Sequence, residues 1–170
     1  MVALQGPRSG EVMGRLVPEA GALARFSIRR LTLAGKEMWI SRTGYTGEDG
    51  FELYPESQDA VKVWEALLEA GGGLPVISCG LGARDGLRLE VGYPLYGHEI
   101  DETTTPWEAG LGWVVRMDKA NFVGRAAIAA SKERGLQRHL VGFTCAGPGV
   151  PRQGYQLTVN GTVVGAVTSG

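Results

Sequence analysis

The order of turn-bounded segments predicts an α+β protein built from antiparallel sheets flanked by helices. Three observations carry this. Short apolar–polar alternations at residues 26–33, 37–42 and 51–54 are separated by glycine-rich turns, as in antiparallel sheets. A helical apolar period of Ala60, Val61, Trp64, Leu67 and Leu68 covers residues 57–70. Beyond about residue 136 the helical pattern stops, and the chain reads as all-β.

Residues 2–5 are expected to form a short strand. Ser9 is expected to cap a helix running to Leu16, with Glu11 in its first turn and Pro18 closing it. In residues 26–33 the alternation slips at Arg29-Arg30, which predicts a bulge. Ala34-Gly35-Lys36 is a turn into the partner strand at 37–42. The strand at 51–54 is closed by Pro55, and the helix at 57–70 by Gly71-Gly72-Gly73 and Pro75.

Pro75-Val76-Ile77 suggests a short apolar strand, and a second helix is expected at residues 82–91. Thr105-Pro106-Trp107-Glu108 has the form of a capping box, with Thr as N-cap, Pro at N1 and Glu at N3. Trp113-Val114-Val115 is expected to return to strand, and residues 124–133 to form an alanine-rich helix closed by Gly135. Residues 155–164 give a strong hairpin signal, because Asn160-Gly161 suits a two-residue type I′ turn.

These elements suggest two domains, residues 1–136 and residues 137–170. The second, at about 35 residues, is too small for an independent core. The run Val167-Thr168-Ser169-Gly170 reads as mid-strand or mid-turn, so the chain is expected to be cut there.

Composition excludes several classes. The chain of 170 residues has 44% apolar residues, ordinary for a globular protein with a real core. Seventeen basic and 18 acidic residues give a net charge of −1, so bulk electrostatics favours neither nucleic acid nor an anionic membrane. No apolar stretch approaches the roughly 20 residues of a membrane helix. Residues 1–7 lack the basic and apolar regions of a signal peptide. Cys79 and Cys145 share no metal-ligand or redox spacing, which suggests two free thiols in a reducing cytosol. His98 and His139 are too isolated for a metal cluster.

Two runs are more specific than the rest: Ser41-Arg42-Thr43-Gly44-Tyr45-Thr46-Gly47-Glu48-Asp49-Gly50-Phe51-Glu52-Leu53 and Gly82-Ala83-Arg84-Asp85-Gly86-Leu87-Arg88-Leu89-Glu90. In a strand, Glu52 faces opposite to Phe51 and Leu53. A solvated carboxylate on an outer sheet face satisfies this pattern, and so does one turned into a pocket. In a pocket its two acceptor oxygens suit the paired N–H donors of an amidine-like edge, as in pterins and 2-aminopurines. Arg84 lies near a helix start, where the macrodipole disfavours a cation. A bound anion would reverse that sign, with backbone N–H groups of Gly80, Leu81 and Gly82 assisting. A salt bridge to Asp85 or Glu90 is the alternative, for which Arg88 is the better candidate. Tyr45, Tyr93, Tyr96 and Trp107 add aromatics able to stack on a flat ring, though each also fits a packing role. No nucleophile–base pair, P-loop or zinc spacing is present, so spacing alone identifies a small-molecule site without its chemistry.

The same two runs occur in order with Ala3-Leu4-Gln5-Gly6-Pro7, residues 92–101, residues 105–111, Phe122-Val123-Gly124-Arg125 and Val167-Thr168-Ser169-Gly170. Together they closely resemble the T-protein of the glycine cleavage system, a family of aminomethyltransferases, over nearly the whole chain. The resemblance implies a folate-binding aminomethyltransferase fold followed by the first strands of a C-terminal β-barrel, both incomplete. It implies transfer of the methylene of a lipoyl-bound aminomethyl group to tetrahydrofolate, a co-substrate, with release of ammonia and no metal. The partner implied is the lipoyl-carrying H-protein, in the bacterial cytoplasm or the mitochondrial matrix.

By resemblance Glu52 and Arg84 are the folate contacts, with Tyr45, Tyr96 and Trp107 as pocket lining. The acidic residue that assists the chemistry in the family lies upstream of anything matching Ala3-Leu4-Gln5. No catalytic residue is therefore expected in this chain, and by itself the chain is expected to be inactive. The alternative is a folate-binding module without transferase activity, either an iron–sulfur maturation protein or the folate domain of a sarcosine- or dimethylglycine-oxidising enzyme. Against it, the region near Phe122 reads Asn-Phe-Val-Gly-Arg where the maturation proteins carry a cysteine motif, and no dinucleotide fingerprint appears. A structural or interaction fragment without folate affinity is the second rival.

Overall fold

The computed structural model describes residues 1–170 and shows an α+β chain with antiparallel sheets and helices. It separates into two compact units, Met1–Val91 and Gly92–Gly170. The change of composition at residue 136 falls within the second.

The first unit holds a four-stranded sheet. Its strands are β1 (Val2–Gln5), β2 (Ile28–Leu33), β3 (Lys36–Ser41) and β4 (Gly50–Tyr54), in the order β1-β4-β3-β2. All neighbours are antiparallel. The register pairs Glu52 of β4 with Ala3 on one side and Ser41 on the other. Because side chains alternate across a strand, this fixes two faces. Leu4, Met38, Ile40, Phe51 and Leu53 are buried on one, with Met13 and Val63 from the helices in the same core. Ala3, Gln5, Ser41, Glu52 and Tyr54 share the other.

Four helices belong to this unit: α1 (Ser9–Leu16), α2 (Pro18–Gly21), α3 (Ala60–Ala70) and α4 (Leu81–Glu90). Helix α1 packs on α3 and β4. Apolar residues at helical spacing drive this, with Val12 and Met13 buried from α1 and Val63 and Leu67 from α3. A short 3₁₀ turn, Ser57–Asp59, leads into α3.

Several expectations are corrected. Ser9 does not cap α1. Arg8 is the N-cap, and the Ser9 hydroxyl donates instead to the Asp49 carbonyl at 3.1 Å. α1 does end at Leu16 ahead of Pro18, as expected, and Pro18 in addition opens α2, where its missing N–H costs nothing. β2 has no bulge, since its register with β3 runs unbroken from Ile28↔Ser41 to Leu33↔Lys36. The irregularity lies before it, at Phe26, whose φ is 63°. Residues 75–77 form no strand: Pro75 lacks an N–H, no strand pairs with the segment, and Ile77 is 75% exposed.

The second unit contains α5 (Arg125–Glu133) and a hairpin of β5 (Gln156–Val159) and β6 (Thr162–Ala166). Asn160 and Gly161 take φ of 49° and 81°, the positive pair a type I′ turn needs. A bulge interrupts the hairpin between Leu157 and Thr158. The capping box is formed reciprocally: the Glu108 N–H donates to Thr105 Oγ1 at 3.3 Å, and the Thr105 N–H to Glu108 Oε2 at 2.9 Å. The Thr105 N–H and the Thr105 hydroxyl, each donating to Oε2 at 2.9 Å, hold the Glu108 carboxyl below its ordinary range, with the Arg138 cation assisting. The turn they cap is closed by backbone bonds from the Ala109, Gly110 and Leu111 N–H groups to the Thr105, Trp107 and Pro106 carbonyls. The strand expected at 113–115 is replaced by a 3₁₀ turn, Gly112–Val114, with no neighbouring strand to pair it.

Candidate ligand-binding site

The segment between β3 and β4 is a loop held from several directions. Arg42 brackets it, donating through Nε and Nη2 to the two Asp49 carboxylate oxygens at 3.1 and 2.7 Å. Its Nη1 donates to the Gly21 and Leu23 carbonyls at 3.2 and 2.7 Å. The guanidinium beside Asp49 lowers that carboxyl's pKa, through the hydrogen bond first and charge second. Gly47 has φ of 78°, and a Cβ there would stand 2.4 Å from Val91 Cγ1. Glycine is therefore required at that position on both conformational and steric grounds.

Glu52 is half-buried at the end of this loop. Its Oε2 accepts from Thr43 Oγ1 and, at 3.4 Å, from the Tyr54 hydroxyl. Thr43 Oγ1 also lies 2.7 Å from Ser41 Oγ. Every protein hydrogen bond to this carboxylate goes to Oε2, which leaves Oε1 open as an acceptor.

Arg84 is the fourth residue of α4 and makes no ion pair with a carboxylate. Asp85, the nearest in sequence, is taken by Arg88, whose Nε and Nη2 lie 2.7 and 2.6 Å from its Oδ1. Arg88 is 1% exposed, so it fills the structural role and Arg84 is left exposed. The Arg84 guanidinium instead covers the Tyr45 ring, 4.3 Å from its centre.

Glu52, Arg84 and Tyr45 line one cavity of about 690 Å³. That volume lies within the ordinary range for small-molecule sites. Val12, Trp64, Leu67 and Leu68 supply much of its apolar wall, and Gly80 and Leu81 at the start of α4 also border it. The site thus joins an apolar wall to the Glu52 carboxylate and the Arg84 guanidinium, which do not neutralise each other, while Arg8, the other guanidinium on the lining, is paired with Glu11. A flat ligand with a donor edge and an anionic end fits that arrangement.

The other two aromatics expected at the site belong to the second unit and are not among the lining of this cavity. Tyr96 is 66% exposed. Trp107 donates its indole N–H to the Ile128 carbonyl at 3.1 Å and carries Lys132 over its ring at 5.0 Å. Both thiols are exposed and free, and no group of three or more His, Cys, Asp or Glu is placed to hold a metal. No helix is long and apolar enough to cross a membrane.

Sequence reasoning missed Gln5, Thr43 and the Arg42–Asp49 bracket. Thr43 was within reach, since a polar residue two before Tyr45 in the same loop can return to the strand end. The bonds of Gln5 join residues about 40 apart, and no local pattern announces them.

Residues 1–119 match the family model described as the GCVT N-terminal domain. The chain belongs to the glycine cleavage T-protein family. An aminomethyltransferase of Halothermothrix orenii is 53% identical over 171 residues, covering all of this chain and 48% of that protein. One from Symbiobacterium thermophilum is 49% identical over 175 residues, covering all of this chain and 47% of its own. The crystal structure of glycine cleavage system aminomethyltransferase T from Bartonella henselae superposes with a TM-score of 0.85 at 37% identity, over 98% of this chain and 46% of that one. The chain thus spans about half the length of the curated T-protein relatives it matches.

Proposed function

We propose that the cavity binds tetrahydrofolate as co-substrate, with no metal. In the whole protein, the methylene of an aminomethyl group on the lipoyl arm of the H-protein passes to that folate and ammonia leaves. The observation that carries the reading is the pair Glu52 and Arg84. Both face one apolar cavity, and each has unspent hydrogen-bonding capacity, in a chain of the T-protein family.

The chemistry of the donor set supports the ligand. Glu52 Oε1 accepts from the 2-amino–N3 edge of the pterin, which presents N–H donors in one plane. Arg84 meets an anionic portion of the ligand, and the free N–H groups at the start of α4 add to that attraction. The apolar wall holds the flat ring system and excludes water from it. These residues bind and orient, and the acid that assists the chemistry lies outside this chain.

In this reading residues 1–136 are part of the folate-binding domain, and residues 137–170 begin the C-terminal β-barrel. The family model ends at residue 119 and the β5–β6 hairpin lies wholly beyond it, which supports such a division. The part of Tyr96 and Trp107 in folate binding rests on the family resemblance alone. A cytoplasmic location follows the bacterial relatives.

The test is turnover by the full-length protein with an aminomethyl-loaded lipoyl carrier. Ammonia release is expected to require tetrahydrofolate and to fall at least about tenfold in Glu52→Ala, the scale of a lost charge-assisted bond. Release that ignores both the folate and the substitution overturns the proposal.

A further inference from the structure

The amide of Gln5 is a clamp on the loop that carries the site. Gln5 ends β1, opposite Gly50 of β4. Its Nε2 donates to the Thr43 carbonyl at 3.2 Å and to the Phe51 carbonyl at 3.3 Å. Its Oε1 accepts from the Thr46 hydroxyl at 3.1 Å. Thr46 is buried, and its hydroxyl oxygen also lies 3.4 Å from the Glu48 N–H. One side chain therefore ties the entry, the middle and the exit of the loop.

Two glycines make room for it. A Cβ on Gly44 would stand 2.0 Å from Gln5 Oε1, and one on Gly50 would stand 2.4 Å from Gln5 Cδ. Gln5, Gly44 and Gly50 thus form one packed unit. The flexibility that two glycines give a loop is removed by the amide that fills the space they leave.

The atoms held belong to the residues that form the site. Thr43, whose carbonyl Gln5 fixes, donates its hydroxyl to the Glu52 carboxylate. Tyr45, between the held Thr43 and Thr46, carries Arg84 on its ring. Gln5 borders the same cavity, yet both its amide hydrogens and an oxygen lone pair are spent on the loop.

We propose that Gln5 is a positioning residue of the ligand site. It sets the conformation of residues 43–51, and through it the placement of the Glu52 carboxylate and the Tyr45–Arg84 stack. Its bearing on folate affinity rests on the reading of the cavity as a tetrahydrofolate site.

The test uses the full-length protein carrying Gln5→Met, which keeps the side chain's length and removes its hydrogen bonds, and Gln5→Glu. Glutamate keeps the acceptor for Thr46 but turns an oxygen toward the Thr43 and Phe51 carbonyls. Amide hydrogen exchange is read by mass spectrometry on peptides covering residues 43–51 and, as a control for folding, residues 28–41. Tetrahydrofolate affinity is read by calorimetry.

Exchange at 43–51 is expected to rise at least about tenfold in both variants with 28–41 unchanged, and folate affinity to fall about tenfold. Gln5→Met combined with Glu52→Ala is expected to lose less than the product of the two single losses, because Gln5 acts through that carboxylate. Unchanged exchange at 43–51, unchanged affinity, or strictly multiplicative losses overturn the positioning role. If the wild type binds no folate, the cavity reading falls, and exchange at 43–51 decides by itself whether Gln5 holds the loop. Should Gln5→Met also unfold residues 28–41, Gly44→Ala gives the same reading from the other side of the contact.

Discussion

The Arg84 guanidinium lies over the Tyr45 ring, 4.3 Å from its centre, at the border of a cavity that Glu52 also lines. This contact holds a cation near the start of a helix without using its hydrogen-bond donors. The ring attracts the charge by its electron-rich face, worth about 0.5–1 kcal/mol at an exposed site. The planar fork of five N–H groups stays available to a ligand.

Replacing the ring is expected to weaken ligand binding more than stability. Tyr45→Leu removes about 0.5–1 kcal/mol of cation–π attraction and frees the guanidinium to move. Tetrahydrofolate affinity is expected to fall several-fold, while the melting temperature shifts little. Arg84→Lys is expected to lose affinity too, because an ammonium lacks the fork. Titration calorimetry beside thermal melts separates the two effects.

The Arg42–Asp49 bracket gives the loop a pH-dependent share of stability. Asp49 is held below its ordinary pKa, chiefly by its hydrogen bond to Arg42. A carboxylate lowered in the folded state contributes stability that is present above the unfolded value, about 3.9, and is lost as pH falls through the folded one. Asp49→Asn is expected to cost about 1–2 kcal/mol at neutral pH, since both partners are only partly exposed, at 22% and 24%. The gap between wild type and Asp49→Asn is expected to close as the pH is taken down through the acid range. Urea melts across that range measure it, and a gap that persists below both pKa values contradicts the assignment.

Gly47 meets a conformational and a steric obstacle to substitution at once. Its φ of 78° and the 2.4 Å distance from a built Cβ to Val91 Cγ1 act together. Gly47→Ala is expected to lose at least about 1–2 kcal/mol from the left-handed backbone alone. Gly35, also at positive φ but with open space around it, is expected to lose only the conformational part on the same change. Denaturant melts of the two variants compare these costs directly.

Much of this arrangement is legible in the residues themselves. The alternation at Phe51-Glu52-Leu53 places Glu52 opposite the core face, and the structure has Phe51 and Leu53 fully buried with Glu52 between them. The Asn160-Gly161 hairpin and the Thr105–Glu108 capping box follow from local chemistry, and both form. What failed depends on contacts distant in sequence. Ser9 satisfies the form of an N-cap, but the Asp49 carbonyl, 40 residues on, takes its hydroxyl. Val76 and Ile77 have strand propensity, yet propensity makes no strand without a neighbour to pair. Gln5 carries no signal of its role because its three partners at Thr43, Thr46 and Phe51 assemble only when β1 meets β4.

The central claim is that Glu52 and Arg84 are the polar contacts of a tetrahydrofolate site. Calorimetric titration of the full-length protein with tetrahydrofolate, in wild type, Glu52→Ala and Arg84→Ala, tests it most directly. Each substitution is expected to lose a charge-assisted bond worth about 1.5–3 kcal/mol, or roughly 10- to 100-fold in affinity. No binding by the wild type, or binding indifferent to both substitutions, contradicts the assignment.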